Sequence, residues 1–220
     1  MKIVQISEHV WKCSQWIIIP MSAWLVQSER GLTLVDAGIP LMAGPLLKQI
    51  ERMGLPLEQI VLTHGHSDHV GSLNKIVERY PVPVYVHEAE IPYMEGRQPY
   101  PRRKKAEQTV RPGLVRALDM ASQPGGLTPY ATPGHSPGHV AYYHEQDGVL
   151  LAGDLFTSKR GQLHRPMPMF TADMKQAVGS GALVEQVRPK LVSVCHGGEV
   201  QITDPQRQAE VYRTAALASL

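Results

Sequence analysis

Residues 63–69 concentrate side chains that bind cations. His64, His66, Asp68 and His69 bring three imidazoles and one carboxylate into a single short stretch. An imidazole or carboxylate that leaves water needs a partner, and a divalent cation can satisfy several such groups at once. The stretch therefore predicts a metal site rather than a polar loop whose histidines happen to be neighbours.

Three later stretches add the same chemistry. One of the two histidines His135 and His139, which share a loop rich in glycine and proline, is expected to face the metal. Asp154 and His196 each follow an apolar run typical of a strand. Without the earlier histidines, Asp154 would be interpreted as an ordinary turn aspartate. Cys195 ends an apolar run, and we interpret it as a buried packing residue.

The apolar pattern predicts elements that carry these residues at their ends. A strand at 60–62 precedes the first cluster and a helix at 70–80 follows it, which is where open sheets hold ligands. Further strands are expected at 3–11, 16–19, 23–27, 32–35, 82–86, 140–143, 149–152 and 191–194, and further helices at 40–53, 173–187 and 205–216. Asp36 follows one of these strands, where a carboxylate that orients a loop is favoured over a ligand.

Composition limits the class of protein. The chain has 220 residues, 43% of them hydrophobic, and we expect one domain. A net charge of +2 argues against nucleic acid or an anionic membrane as the main partner. Without a long apolar run or a signal sequence, a cytoplasmic protein is expected. The two cysteines, Cys13 and Cys195, are expected to be reduced.

Two segments are candidates for substrate contacts. The irregular composition of residues 91–129 predicts a lid-like insertion. Its basic run at 102–105 is either a solvated face or a guide for an anionic substrate. Residues 155–171 form a loop rich in methionine and proline, where His164, Arg165 and Phe170 are predicted to line a pocket. Core packing of Met167 and Met169 is the alternative for that loop.

The ligand motifs together resemble those of the metallo-β-lactamase superfamily, in particular its glyoxalase II-like branch. The matching motifs are His64-x-His66-x-Asp68-His69, Gly134-His135, Gly153-Asp154 and Cys195-His196-Gly197. The resemblance covers nearly the whole chain. It implies an α/β fold, a four-layer αββα sandwich of two mixed sheets with the metal site along one edge.

The resemblance also implies a complete site for two divalent metal ions, with zinc expected and iron or manganese as alternatives. It assigns His64, His66 and His135 to one metal, Asp68, His69 and His196 to the other, and Asp154 to both. A hydroxide held between the metals would be the nucleophile, and Asp68 would orient it or accept its proton. His139 and Asp36 are expected to support the ligands from behind.

These implications favour a hydrolase that acts on a small ester, thioester or lactone. Quorum-signal lactonases of the superfamily carry a tyrosine where this chain has Thr157, and glyoxalase II enzymes append a glutathione-binding helical domain, whereas only 24 residues follow His196. Nucleic-acid cleavage is disfavoured because no second domain is inserted. An iron enzyme resembling the persulfide dioxygenases, with a single metal, is the main alternative, and a non-enzymatic metal-binding module is a third. A small molecule is the expected partner, and a homodimer stays open.

Overall fold

The computed structural model describes residues 1–218 of the chain. Its strands are β1 (Lys2–Gln5), β2 (Val10–Trp16), β3 (Pro20–Gln27), β4 (Leu32–Val35), β5 (Leu57–Val61), β6 (Val84–Val86), β7 (Val115–Ala117), β8 (Leu127–Ala131), β9 (Val140–His144), β10 (Val149–Leu151), β11 (Thr157–Lys159), β12 (Gln162–His164), β13 (Leu191–Ser193) and β14 (Val200–Gln201). Its α-helices are α1 (Ala43–Met53), α2 (Ser67–Val70), α3 (Leu73–Arg79), α4 (Ile91–Met94), α5 (Met174–Ser180), α6 (Leu183–Val187) and α7 (Pro205–Leu217).

The strands form two mixed sheets and a separate hairpin. The first sheet follows the chain order β1 to β7, antiparallel from β1 to β4 and parallel from β4 to β7. The second sheet has the order β14-β13-β10-β9-β8, and its one parallel pair is β10 with β13. Strands β11 and β12 pair only with each other among the described residues.

The alternation of side chains along β3 shows how the layers pack. Ala23 and Leu25 point to one core, which the first sheet shares with α1 and α3. Trp24 and Val26 point to a second core between the two sheets, where they meet Tyr142 of β9 and other residues of the second sheet. Because successive strand residues face opposite sides, one strand serves both cores.

A third core lies on the outer face of the second sheet. There Val178 of α5, Val184 of α6 and Tyr212 of α7 pack against Leu150 and Val192. The order of layers is therefore helix, sheet, sheet, helix, and the predicted αββα sandwich is confirmed. Of the described helices, none combines the length and the apolar character needed to cross a membrane.

The strand predictions near the N-terminus were partly wrong. Residues 3–11 form parts of two strands, β1 and β2, joined by a turn. Residues 17–19 are a bend between β2 and β3 rather than a strand, and Ile18 is 86% exposed there. The apolar run suggested a buried strand, but its side chains lie at the tip of a hairpin.

Two predicted helices are interrupted at glycines. The helix expected at 70–80 is divided into α2 and α3, because the Gly71 N–H donates to the Gly38 carbonyl and leaves no room for a side chain beside Pro40. The helix expected at 173–187 is divided at Gly181, which packs against Tyr212. Helix α1 ends as predicted at Gly54, which adopts a left-handed φ of 68°.

The two segments expected to be irregular are partly ordered into sheet. Residues 115–117 of the predicted insertion form β7 at the edge of the first sheet, and residues 127–129 belong to β8. The methionine-rich loop contains the β11–β12 hairpin. These strands are three to five residues long, too short for an alternation to stand out in the sequence. A lid function for 91–129 stays a prediction.

The outer core of the second sheet supplies a stability prediction. The Phe156 ring is fully buried and meets Tyr212 edge-on, with ring centroids 4.8 Å apart. Phe156→Ala should lower the free energy of unfolding by about 3–5 kcal/mol, because it removes the ring and leaves a cavity. Chemical denaturation measures this loss. The control is Val211→Ala on the exposed side of α7, where Val211 is 57% exposed, and an equal loss there would contradict the packing described.

Candidate metal centre

Two pairs of parallel strands bring the candidate residues to one edge of the sandwich. Strands β4 and β5 are parallel neighbours in the first sheet, and Asp36 and the cluster 63–69 follow their carboxyl ends. Strands β10 and β13 are parallel neighbours in the second sheet, and Asp154 and His196 follow them. The carboxyl ends of parallel neighbours share one sheet edge, so the candidate residues of each sheet are gathered together. His135 joins them from the loop between β8 and β9.

Asp36 fixes the start of the histidine cluster. Its Oδ1 accepts the Thr63 N–H at 2.8 Å, and its Oδ2 accepts the Thr63 hydroxyl at 2.8 Å and lies 2.7 Å from His69 Nδ1. Because the Thr63 hydroxyl donates its hydrogen bond to Asp36, its oxygen accepts a hydrogen bond from His64 Nδ1 at 3.1 Å. Both imidazoles therefore carry hydrogen on Nδ1 and present a bare Nε2. Asp36 adopts a left-handed φ of 58°, which aspartate tolerates better than most residues.

The other two supporting contacts have the same effect. The Thr171 hydroxyl donates to the Met167 carbonyl at 2.9 Å, so its oxygen accepts from His135 Nδ1 at 3.2 Å. His196 Nδ1 donates to the Pro20 carbonyl at 2.9 Å, which can only accept. His135 and His196 thus also present a bare Nε2 to the space between the sheets.

Three imidazoles converge on one point. His66 Nδ1 lies 3.0 Å from His64 Nε2 and 3.0 Å from His135 Nε2. A single hydrogen on His66 could serve only one of these two bare nitrogens. Nitrogens that bind one zinc ion at about 2.0–2.1 Å each lie about 3 Å apart. This first group is therefore arranged to hold a metal ion.

A second group lies beside the first. It consists of His69, Asp154, Cys195 and His196, whose ligand atoms all lie within 4.8 Å of one another. Asp68 reaches the same place, with Oδ2 3.3 Å from His196 Nε2 and 3.7 Å from His69 Nε2. Cys195 is fully buried, as expected for a packing residue, but its position beside these ligand atoms was not anticipated.

Asp154 lies between the two groups. Its Oδ2 is 3.3 Å from His135 Nε2 of the first group and 3.2 Å from His196 Nε2 of the second. Its Oδ1 is 3.3 Å from His69 Nε2. One carboxylate therefore faces both groups, the placement that a bridging ligand needs.

The donor atoms fit a divalent cation. His69 Nε2, His196 Nε2 and Asp154 Oδ1 are buried, and although they lie close to one another and to Asp68, none of them makes a contact of hydrogen-bond geometry within residues 1–218. Buried polar atoms are rarely left without a hydrogen-bond partner, because each unsatisfied atom destabilises the fold by about 1–3 kcal/mol. Imidazole nitrogens and carboxylate oxygens are ligands that both zinc and iron accept. The three atoms without hydrogen bonds are therefore of the kind that a divalent cation binds.

The imidazoles of the first group are held neutral. Burial lowers the pKa of His64 well below its usual range, and the neighbouring His69 and His66 lower it further. Burial likewise lowers the pKa of His135 well below, and that of His66 below, the usual value. Neutral imidazole is the form that binds a metal.

The carboxylates are held ionised. Burial opposes the charge on Asp154, but the neighbouring His196 and His69 outweigh it and keep the pKa of that carboxyl well below its usual range. Burial also opposes the charge on Asp68, but His69 and His196 hold its pKa at about 2. Both side chains therefore carry a negative charge toward the candidate site. Burial lowers the pKa of His69 and His196 in turn, but Cys195 and Asp154 outweigh it and raise both above the usual value, so a metal would displace a proton from each.

His139 supports the Asp154 turn and lies outside both groups. Its Nε2 accepts the Asp154 N–H at 3.1 Å, and its Nδ1 lies 2.8 Å from the Thr132 hydroxyl. Gly153 permits this approach: a Cβ there would lie 2.8 Å from Thr63 Cβ and 2.9 Å from His139 Nε2. Its φ of 51° also favours glycine.

A cavity of about 530 Å³ opens onto both groups. The turn between β2 and β3, the segment 91–129 and the methionine-rich loop supply its walls. It is lined by Ile18, Ile19, Met21, His66, Ser67, Asp68, Tyr100, Arg103, Lys105, Glu107, Thr109, Asp154, Met167, Met169 and Phe170. A larger cavity of about 670 Å³ elsewhere on the molecule contains none of the candidate ligands.

The three predicted substrate contacts separate in the structure. Phe170 lines the cavity, with the Arg103 guanidinium 5.3 Å from its ring centroid. His164 and Arg165 do not line it, and His164 is paired with Thr157 in the β11–β12 hairpin. Thr157, at the position of the lactonase tyrosine, donates its hydroxyl to the Arg165 carbonyl at 3.0 Å.

Sequence reasoning missed most of the cavity wall. Ile18 and Ile19 had been expected in a strand, and Tyr100 had not been singled out. The fully buried Glu90 was missed as well. No local pattern marks these residues, because their roles depend on contacts between distant segments.

A third cluster of metal-binding types lies elsewhere. His9, His144 and Asp147 meet where the β1–β2 turn contacts the β9–β10 turn. The Asp147 carboxylate accepts the Ser7 hydroxyl and the His9 N–H, and lies 2.9 Å from His9 Nδ1. His144 Nδ1 accepts the Asp147 N–H at 3.3 Å. These groups satisfy one another, so the cluster links the two sheets without a metal.

Comparison with known proteins agrees with this geometry. The family model of the metallo-β-lactamase superfamily matches residues 19–196. Probable metallo-hydrolase YybB of Bacillus subtilis (strain 168) is 37% identical over 207 residues, covering 91% of this chain and 93% of YybB. The crystal structure of TTHA1623 in a di-iron-bound form has a TM-score of 0.68 at 29% identity, covering 90% of this chain and 97% of that one.

A relative with a named substrate matches over a shorter region. Hydroxyacylglutathione hydrolase of Synechococcus sp. (strain JA-2-3B'a(2-13)) is 35% identical over 143 residues, covering 64% of this chain and 49% of that enzyme. The chain thus spans about half the length of that relative. The αββα sandwich with clustered imidazoles and carboxylates at one edge, together with the matched metallo-hydrolases, supports a metal-dependent hydrolase. The chain belongs to the metallo-β-lactamase superfamily, and the resemblance to its glyoxalase II-like members is confirmed.

The support that Asp36 gives to His69 can be tested. Asp36→Asn should weaken metal binding by about 10- to 100-fold, because the amide cannot replace all three carboxylate contacts of Asp36. Competition with a chromophoric chelator measures the affinity. Asp119→Asn, at an exposed turn, is the control and should bind metal as the wild type does. Equal affinities for all three proteins would show that Asp36 does not orient the ligands.

Proposed function

We propose that the chain is a dinuclear metal hydrolase acting on a small ester, thioester or lactone. His64, His66 and His135 hold one divalent cation, and Asp68, His69 and His196 hold the other. Asp154 is shared. The observation that carries this proposal is the position of the Asp154 carboxylate, within 3.3 Å of imidazole nitrogens of both groups.

Divalent cations held by these residues would supply Lewis acidity and would lower the pKa of a bound water toward neutral pH. Asp68 is the residue of the chain placed to receive a proton. It is ionised, it lies in the cavity wall, and its side chain keeps 27% exposure while the neighbouring His69 is fully buried. Asp68 therefore accepts a hydrogen bond or a proton from the attacking water.

The cavity favours a substrate with an apolar part and a negative charge. Ile18, Ile19, Met167 and Phe170 form an apolar wall, which suits an acyl chain. Each methylene buried there contributes about 0.8 kcal/mol. Arg103 and Lys105 belong to the basic run and line the cavity, whereas Lys104 between them does not. Arg103 and Lys105 thus face the cavity and do not belong only to a solvated surface.

The metal itself is proposed to be zinc, with iron as the alternative. A relative of known structure is described in a di-iron-bound form, which supports testing iron alongside zinc. A persulfide dioxygenase would use a single iron at His64, His135 and Asp154. The second group of histidines, with its own unsatisfied nitrogens, favours two ions and therefore the hydrolase.

The reaction class can be tested with a substrate panel. The protein loaded with zinc or with iron should hydrolyse members of a panel of esters, thioesters and lactones with acyl chains of increasing length. Asp68→Ala should lower kcat by about 100-fold or more, because general-base catalysis contributes that much. His164→Ala, outside the cavity, should leave kcat unchanged. Background hydrolysis throughout, with rapid oxygen uptake on glutathione persulfide, would identify the dioxygenase instead.

The basic wall predicts salt-dependent capture of anionic substrates. Arg103→Ala should lower kcat/KM several-fold for a substrate with an anionic leaving group, and it should weaken the dependence of kcat/KM on ionic strength. A neutral substrate of the same acyl length should be affected less. Lys104→Ala is the matched control, since it removes an adjacent charge that does not line the cavity. Identical salt dependence in both variants would leave the basic run without a role in binding.

A further inference from the structure

Glu90 is a fully buried carboxylate that the proposed function does not use. It lies in the connection between β6 and α4, and it accepts three hydrogen bonds. The Gly65 N–H donates to Oε2 at 3.0 Å, the Tyr100 hydroxyl donates to Oε2 at 2.6 Å, and the Gly138 N–H donates to Oε1 at 2.7 Å. Both oxygens are therefore occupied by donors.

The two backbone donors belong to the loops that carry the first group. Gly65 stands between His64 and His66, in the loop that follows β5 of the first sheet. Gly138 lies in the loop between β8 and β9 of the second sheet, which also carries His135. A single side chain thus joins the loops from both sheets whose imidazoles converge.

Tyr100 links Glu90 to the wall of the cavity. Its ring meets His66 at 70°, with centroids 4.7 Å apart, while its hydroxyl is held by Glu90. Gly65 makes this possible, because a Cβ there would collide with the Tyr100 hydroxyl and with Met94.

We propose that Glu90 is a positioning residue for the metal centre. It sets the separation of the His64–His66 loop from the His135 loop, and through Tyr100 it fixes the packing against His66. The inference rests on the proposed ligands of the first group and is independent of the proposed substrate.

Glutamine is the substitution that tests this role most sharply. It keeps the size of Glu90, but its NH2 group must replace one of the two oxygens. In either orientation the NH2 group faces a backbone N–H, of Gly65 or of Gly138, and one loop contact is lost. Tyr100→Phe removes only the third donor and leaves both loop contacts in place. Glu88→Gln, on the same turn but exposed, is the matched control.

The measurements are zinc affinity by chelator competition, the visible spectrum of the cobalt-loaded protein, and the melting temperature of the metal-free protein. Glu90→Gln should weaken zinc binding by about 10- to 100-fold, as loss of supporting contacts around metal ligands generally does, and should alter the cobalt spectrum. Tyr100→Phe should have a smaller effect of the same kind. Glu88→Gln should match the wild type in all three measurements.

If Glu90→Gln lowers the melting temperature but leaves zinc affinity and the cobalt spectrum unchanged, Glu90 stabilises the fold only and the proposal is overturned. Should Glu90→Gln not fold, Glu90→Asp decides by the same readouts, because its shorter side chain cannot keep the contacts to both loops, and an unchanged affinity and spectrum there overturn the proposal. His135→Ala separates the two claims. Full zinc affinity in that variant refutes the ligand assignment on which the role of Glu90 rests, whereas lost affinity there with unchanged affinity in Glu90→Gln refutes only the role of Glu90.

Discussion

The structure depends on the crowding of bare ring nitrogens and carboxylate oxygens at one edge of the sandwich. Ring nitrogens of His64, His66 and His135 face one another. The carboxylate of Asp154 faces the His135 ring nitrogen beside them. In water each of these atoms would be hydrated. Within residues 1–218 several of them make no hydrogen bond, so the fold must hold them in place by other contacts.

Partners behind the ligands do that holding. Asp36, Thr63, Thr171 and Pro20 each accept a hydrogen bond from Nδ1 of an imidazole, so that Nε2 faces the site. Three of these partners lie in or directly after strands of the first sheet, and Thr171 lies in the loop before α5. The packed layers therefore do more than bury apolar surface: they set the distances on which ligand geometry depends.

The motifs of the sequence predicted which side chains meet at one edge of the sandwich, and the family resemblance predicted the layers, but the wall of the cavity was predicted poorly. Motifs such as 63–69 are local, and each follows an apolar run that marks a strand end. Ile18 and Ile19 looked like buried strand residues because exposure at a hairpin tip depends on the neighbouring strands. Glu90 was missed because its three donors lie 10 to 48 residues away along the chain. Such contacts have no periodicity to detect.

The most direct test of the account is the anomalous diffraction of metal-loaded crystals, recorded on both sides of the metal absorption edge. Two anomalous peaks are predicted, one contacting His64, His66 and His135 and the other contacting His69 and His196, with Asp154 between them. A single peak held by His64, His135 and Asp154 would contradict the dinuclear site and favour the mononuclear iron enzyme. Peaks away from this edge would contradict the ligand assignment altogether.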